Sequence, residues 1–112
     1  MDTAQTDQSD SQVYGVDYFI RKFSAIPEAK WTTGIFRNQF GARCALGHCG
    51  VKEGDDQNLV SEAAALHRIA WDGKNKISIV GVNDGYHPKY QQVTAKERIL
   101  ALLRDIKAAQ TA

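Results

Sequence analysis

With 112 residues, and 14 lysines and arginines against 13 aspartates and glutamates, the chain has room for one domain and a net charge of +1. That balance excludes the concentrated positive field of a non-specific nucleic-acid binder, and the lack of any apolar run of about 18 residues excludes a membrane-spanning helix. Two cysteines, in a chain whose amino terminus has neither a basic stretch nor an apolar one, predict free thiols in a reducing cytoplasm.

Residues 1–12 hold no large apolar side chain beyond Met1 and carry Asp2, Asp7 and Asp10. Such a segment buries too little surface to offset its ordering entropy and is expected to be a disordered polar tail, ahead of a single domain over 13–112. Val16, Phe19, Ile20 and Phe23 recur on one helical face and predict a helix from Val16 to Ser24, stopped by Pro27. Ile26 to Trp31 reads as a tight turn that delivers Trp31 to the core. Thr32 to Phe36 and Ala42 to Cys44 read as two short strands paired in a hairpin around Gly41. Cys44 to Cys49 is then a one-turn helix closed by Gly50. Lys52 to Asn58, with Glu53, Asp55 and Asp56, is expected to be a mobile acidic loop.

Asn58 is placed to cap a helix from Leu59 to Trp71, with Leu59, Ala63, Leu66 and Ala70 on one face and Asp72-Gly73 as its stop. Lys76 to Val82 is apolar at alternating positions on both faces and predicts a central strand. Asn83-Asp84-Gly85 turns the chain into a polar aromatic loop that runs to Gln92. Thr94-Ala95-Lys96-Glu97 is a capping box opening the last helix, to about Ala109, with Ile99, Leu102, Leu103 and Ile106 as its buried stripe. Arg104 and Lys107 near its end suit the helix dipole. The expected class is α+β: three main helices packed on a small sheet of two to four short strands.

Four constellations carry possible chemistry. Cys44 opens a helix beside Arg43, and His48 follows one turn later, so a thiol enzyme would use Cys44 as nucleophile with His48, His67 or His87 as base. The arrangement loosely looks like the helix-mounted nucleophile of papain-like thiol hydrolases, but Gly47 and Gly50 cut the helix to one turn and the motif around the papain nucleophile is missing. A packing role for Cys44, Ala45, Leu46 and Cys49 under Trp31 outweighs catalysis. Cys44, His48 and Cys49 are zinc-compatible donors, yet on a helix Cys49 projects roughly 140° away from Cys44. No metal and no cofactor are therefore expected. Asn83, Asp84, Tyr86, His87, Lys89 and Tyr90 cluster after the expected central strand, where ligands commonly bind, and form the candidate partner surface. Finally, Arg21, Lys22, Lys30, Arg37 and Arg43 interleave with Tyr18, Trp31 and Phe36, a pattern suited to single-stranded nucleic acid, although the aromatics are better used in a core.

Trp31-Thr32-Thr33-Gly34, Cys44-Ala45-Leu46-Gly47, Val82-Asn83-Asp84-Gly85, and Thr94-Ala95-Lys96-Glu97 leading into Ile99-Leu100 resemble, in that order, a family of small bacterial and bacteriophage proteins of unknown function. The resemblance implies a phage or prophage accessory factor of the bacterial cytoplasm and carries no catalytic residues. The expected function is a small non-catalytic binding protein whose partner is another protein, met by the acidic loop Lys52 to Asn58 and the loop Asn83 to Tyr90. A thiol enzyme and a single-stranded nucleic-acid binder stand behind it.

Overall fold

The computed structural model describes residues 14–71 and 76–111. The expected tail over 1–12 and the Asp72-Gly73 stop lie outside the described residues.

Both amphipathic stripes at the ends of the chain form helices. α1, Val16–Ala25, buries Val16, Phe19 and Phe23, and the Ile26 N–H closes it on the Phe23 carbonyl at 3.2 Å. Ile20 is only partly buried. α5, Ala95–Thr111, begins where the Thr94 hydroxyl accepts from the Glu97 N–H at 3.1 Å, and it buries Ile99, Leu102, Leu103 and Ile106. The two helices make the most extensive pair in the molecule, with Lys107 and Asp17 bridged at 2.7 Å along its edge. Phe19 stacks on Phe23 at 5.6 Å, and Phe23 meets Trp31 edge-on at 5.3 Å. Trp31 is delivered by a 3-10 turn, Glu28–Lys30.

Between these helices in the chain lie three more, of four, ten and five residues. α2, Ala45–His48, is capped by Cys44, whose sulfur accepts from the Gly47 N–H at 3.5 Å. α3, Ser61–Ala70, buries Ala63, Ala65, Leu66 and Ala70, and Glu62 on it pairs with Lys22 of α1. It starts later than the Asn58 cap implied, because a 3-10 turn, Gln57–Leu59, comes first, with the Asp56 carboxylate accepting from the Asn58 N–H. Leu59 consequently sits outside the helix and 82% exposed rather than on its buried face.

The expected α+β class is corrected by α4, Ile79–Asn83, which occupies the segment read as the central strand. The run is apolar on both faces, so alternation and helical spacing fit it equally well, and β-branched propensity is weak against tertiary burial. Ser78 caps the helix by accepting from the Gly81 N–H at 3.1 Å, and Ile79, Val82 and Asn83 turn inward. Gly85, at φ +85°, ends it: the Tyr86 N–H reaches the Gly81 carbonyl at 2.8 Å and the Gly85 N–H reaches that of Val82 at 3.2 Å, the paired bonds of a Schellman stop. Asn83-Asp84-Gly85 therefore terminates a helix rather than turning a strand.

The expected hairpin is also absent. Two isolated bridges, Trp31 with Arg43 and Arg37 with Arg43, replace a ladder. The Asn38 carboxamide oxygen accepts from both the Phe40 and Ala42 N–H groups, offering the backbone a side-chain partner in place of a neighbouring strand. Among the described residues there is no strand or sheet, and five α-helices carry the fold. No helix of the described residues is long and apolar enough to cross a membrane.

The loop over 32–42 is seated directly on α2. A Cβ at Gly47 would lie 2.1 Å from the Phe36 carbonyl oxygen and 3.0 Å from the Arg43 Cβ. Since backbone cannot yield as a side-chain tip does, Gly47→Ala is expected to destabilise the protein by about 3 kcal/mol, read from urea denaturation.

Candidate functional site

Asn83 is the joint from which the site is built. Its side chain is almost wholly buried. The carboxamide oxygen accepts from the Ala45 N–H of α2 at 3.0 Å, while the nitrogen donates to the Thr32 carbonyl at 3.0 Å and to Asp84 Oδ1 at 2.9 Å. Asp84 Oδ1 in turn accepts from the Gly34 N–H at 3.0 Å. Two consecutive residues at the end of α4 thus tie together α2 and the loop over 32–42.

Beneath them, Arg98 of α5 is buried with its guanidinium among four carbonyls. Nε donates to Val82 at 3.1 Å and Nη2 to Asn83 at 2.7 Å, the final carbonyls of α4. Nη1 donates to Gln92 at 2.8 Å and Val93 at 3.2 Å. A cation at a helix C-terminus meets the negative end of the helix dipole and satisfies carbonyls that have no partner within the helix.

This frame holds open a cavity of about 280 Å³. Ile35, Phe36, Leu46, Ile79 and Val80 give it apolar walls, and Cys44, Glu53, Gln57, Asn83 and Asp84 bring polar atoms to it. Ile35 and Val80 are 47% and 41% exposed, large apolar side chains left open to solvent where they line the cavity. A second depression of about 600 Å³ adjoins the first, and Ile35, Phe36 and Glu53 line both parts of this grooved surface. Arg37, Arg43 and Lys52 line this second part.

The residues singled out from the sequence separate into distinct places. Cys44 lines the cavity but is buried, and burial pushes its thiol above the usual thiol range despite donation from neighbouring backbone N–H groups. His48 does not serve it. Its Nε2 lies 3.0 Å from the Lys30 carbonyl, which can only accept, so that nitrogen carries the proton. The ring packs on Trp31 at 4.9 Å, and burial holds its pKa below the ordinary value. His67 bonds Gln57 at 2.6 Å, and His87 Nδ1 accepts from the Lys89 N–H at 3.1 Å. Among the described residues no histidine bonds either thiol. Cys49 is buried, and burial followed by the Glu62 carboxylate keeps its thiol protonated. Cys44, His48 and Cys49 do not converge, and among the described residues no three His, Cys, Asp or Glu side chains are grouped to hold a metal ion.

Because the thiolate is the reactive species, both cysteines are expected to alkylate with iodoacetamide roughly tenfold or more slowly in the native protein than in urea at neutral pH, measured by mass spectrometry of quenched samples. Rapid, selective labelling of Cys44 would instead mark a nucleophile.

Of the expected partner surface, Asn83 and Asp84 belong to the groove, and Tyr86, His87, Lys89 and Tyr90 lie outside its lining. Tyr86 is exposed to solvent. Tyr90 is buried, its hydroxyl donating to Asp105 at 2.9 Å, and burial and that bond raise its pKa. In the basic-aromatic set, Trp31 is in the core and Lys22 pairs with Glu62, while Phe36, Arg37 and Arg43 line the groove. Glu53 and Gln57 of the cavity lining fall within the 52–58 loop expected to make contact, whereas sequence reasoning missed Ile35 and Val80 as site residues and Arg98 as the support beneath. Adjacent apolar side chains left exposed cannot be distinguished in sequence from buried ones.

In comparisons with known proteins, no family model matches this chain, and neither does any curated protein or any solved structure.

Proposed function

We propose that the protein is a small non-catalytic binding protein that holds an apolar side chain of a protein partner in the groove between α4 and the loop over 32–42. The observation that supports this reading is that exposed Ile35 and Val80 both line a cavity framed by the Asn83 and Asp84 hydrogen bonds. Exposed apolar residues lining a cavity, held by a satisfied polar frame, are characteristic of a recognition site. At about 280 Å³ the cavity is at or below the lower end of small-molecule pockets (roughly 300–1,000 Å³), suited to one side chain and too small for a dinucleotide. The buried, protonated thiols and the engaged His48 favour binding over thiol catalysis. The setting suggested by the order of motifs is a phage or prophage accessory factor that modulates a host protein in the bacterial cytoplasm.

A photo-crosslinking amino acid in place of Ile35, Tyr86 or Arg104, in full-length protein exposed to bacterial lysate, tests the reading. A discrete adduct from position 35 that is absent from position 104 is the expected result. The same adducts from both positions, or a specific adduct from position 86 alone, would move the site elsewhere.

A further inference from the structure

The basic half of the groove is not needed by the fold. The side chains of Arg37, Arg43 and Lys52 take part in no hydrogen bond or ion pair among the described residues, whereas Lys22, Lys89 and Lys107 each pair with a carboxylate. Glu53 is the single carboxylate in that half, which leaves a net charge of +2 there from three cations and one anion. In the apolar half, Asp84 Oδ1 already accepts two internal hydrogen bonds. Glu53 apart, no carboxylate among the described residues lines that half, the nearby Asp55 accepts from the Lys52 N–H, and the three cations stand beside a cavity walled by Ile35, Phe36, Ile79 and Val80.

We infer that the partner segment is acidic and apolar together: a short extended peptide whose carboxylates meet Arg37, Arg43 and Lys52 while an adjacent large apolar side chain enters the cavity. The inference rests on the groove as a protein-binding site and specifies what it selects. Charge complementarity supplies the choice. Arginine presents a planar fork that takes a carboxylate bidentately, and like charge placed against a patch costs more than an absent attraction gains. A peptide fits better than single-stranded nucleic acid because Trp31 is withdrawn into the core and Phe36 alone among the lining residues is aromatic, which leaves no platform for stacking successive bases.

Fluorescence anisotropy with three labelled peptides tests this: Asp-Glu-Asp-Leu-Phe-Leu, Lys-Arg-Lys-Leu-Phe-Leu, and Asp-Glu-Asp-Ser-Gly-Ser. The full chain is compared with Arg37→Glu/Lys52→Glu, Ile35→Asp and Val80→Asp, whose positions are all exposed, with circular dichroism confirming each fold. The acidic-apolar peptide is expected to bind tightest, to weaken with salt as screening shortens to about 8 Å at 0.15 M, and to lose about tenfold or more in the charge-reversed variant. The basic-apolar peptide should show the reverse preference, and Ile35→Asp and Val80→Asp should weaken both. Equal binding of the two apolar peptides, both lost with Val80→Asp, would overturn the acidic preference while leaving the groove reading intact. Apolar peptides that fail to bind, or that ignore Ile35→Asp and Val80→Asp, would overturn both. Three further results would overturn the peptide assignment. A labelled oligothymidylate that binds tighter than any peptide and is lost on charge reversal would identify nucleic acid. Self-association abolished by Arg37→Glu would identify a second copy. Tenfold tighter peptide binding by Asp2→Asn/Asp7→Asn/Asp10→Asn would identify the chain's own amino-terminal segment.

Discussion

Arg98→Met is expected to lower stability by about 4 kcal/mol, a large share of the roughly 5–15 kcal/mol that holds a domain of this size. The aliphatic replacement keeps much of the volume and removes four hydrogen bonds at once, to Val82, Asn83, Gln92 and Val93. Gln92 and Val93 are exposed, so water can replace the guanidinium at their carbonyls. The Val82 carbonyl keeps the Gly85 N–H, but the Asn83 carbonyl belongs to a buried residue at the end of a five-residue helix and loses its partner, and an unsatisfied buried acceptor costs about 1–3 kcal/mol. Loss of charge at the end of the α4 dipole adds to this. Arg98→Lys should recover less than half, because a single ammonium cannot span acceptors that the planar fork meets from three nitrogens. With urea slopes of about 1–3 kcal/mol per molar, the Met variant's midpoint should fall by roughly 2 M. A midpoint within a few tenths molar of the parent would refute the view that Arg98 holds α4 in place.

Asn83→Ala is expected to cost about 3 kcal/mol for a related reason. It orphans the Ala45 N–H and the Thr32 carbonyl and frees Asp84 from one of its two bonds. Asn83→Asp is the sharper probe. It preserves shape and the acceptor for Ala45, yet turns the donor that serves Thr32 and Asp84 into a third acceptor, so it should cost at least as much as alanine above neutral pH. Were Asp tolerated while Ala was not, side-chain volume rather than hydrogen bonding would explain the site. Both variants should also slacken the loop over 32–42, visible as faster amide exchange at Gly34 and Cys44, whose N–H groups bond Asp84 and the Phe36 carbonyl.

The two long stripes of α1 and α5 were legible because a repeat of three to four apolar positions over ten or more residues has one structural interpretation. The same holds for the Thr94 cap and for the short helix opened by Cys44. α4 was not legible by periodicity, since Ile77 to Val82 is apolar on either spacing. Its brackets were nevertheless written in the chain: Ser78 as N-cap, and a glycine two residues beyond Asn83 as the left-handed stop. Reading Asn83-Asp84-Gly85 as a β-turn lost that signal. The loss propagated, because a polar cluster after a strand suggests a ligand loop, whereas after a buried helix the same residues become a joint and a latch. Arg98 gave no sequence cue, because an arginine one turn into an amphipathic helix is ordinarily a solvated charge. The groove itself depends on which apolar residues remain uncovered, a property of the closed chain.

The dominance of the α1–α5 pair also sets an order of events during synthesis. The stripe of Phe19 and Phe23 leaves the ribosome early, but its main partner surface ends at Ile106. At about 5–20 residues per second, the roughly 80 intervening residues leave that aromatic face uncovered for several seconds. Trp31 meets Phe23 sooner, but α2 and α4 have only four and five residues and α3 buries mainly the small Ala63, Ala65 and Ala70 beside Leu66, so the shelter before α5 is partial. Until α5 emerges, the nascent chain accordingly presents an apolar surface of the kind that invites association.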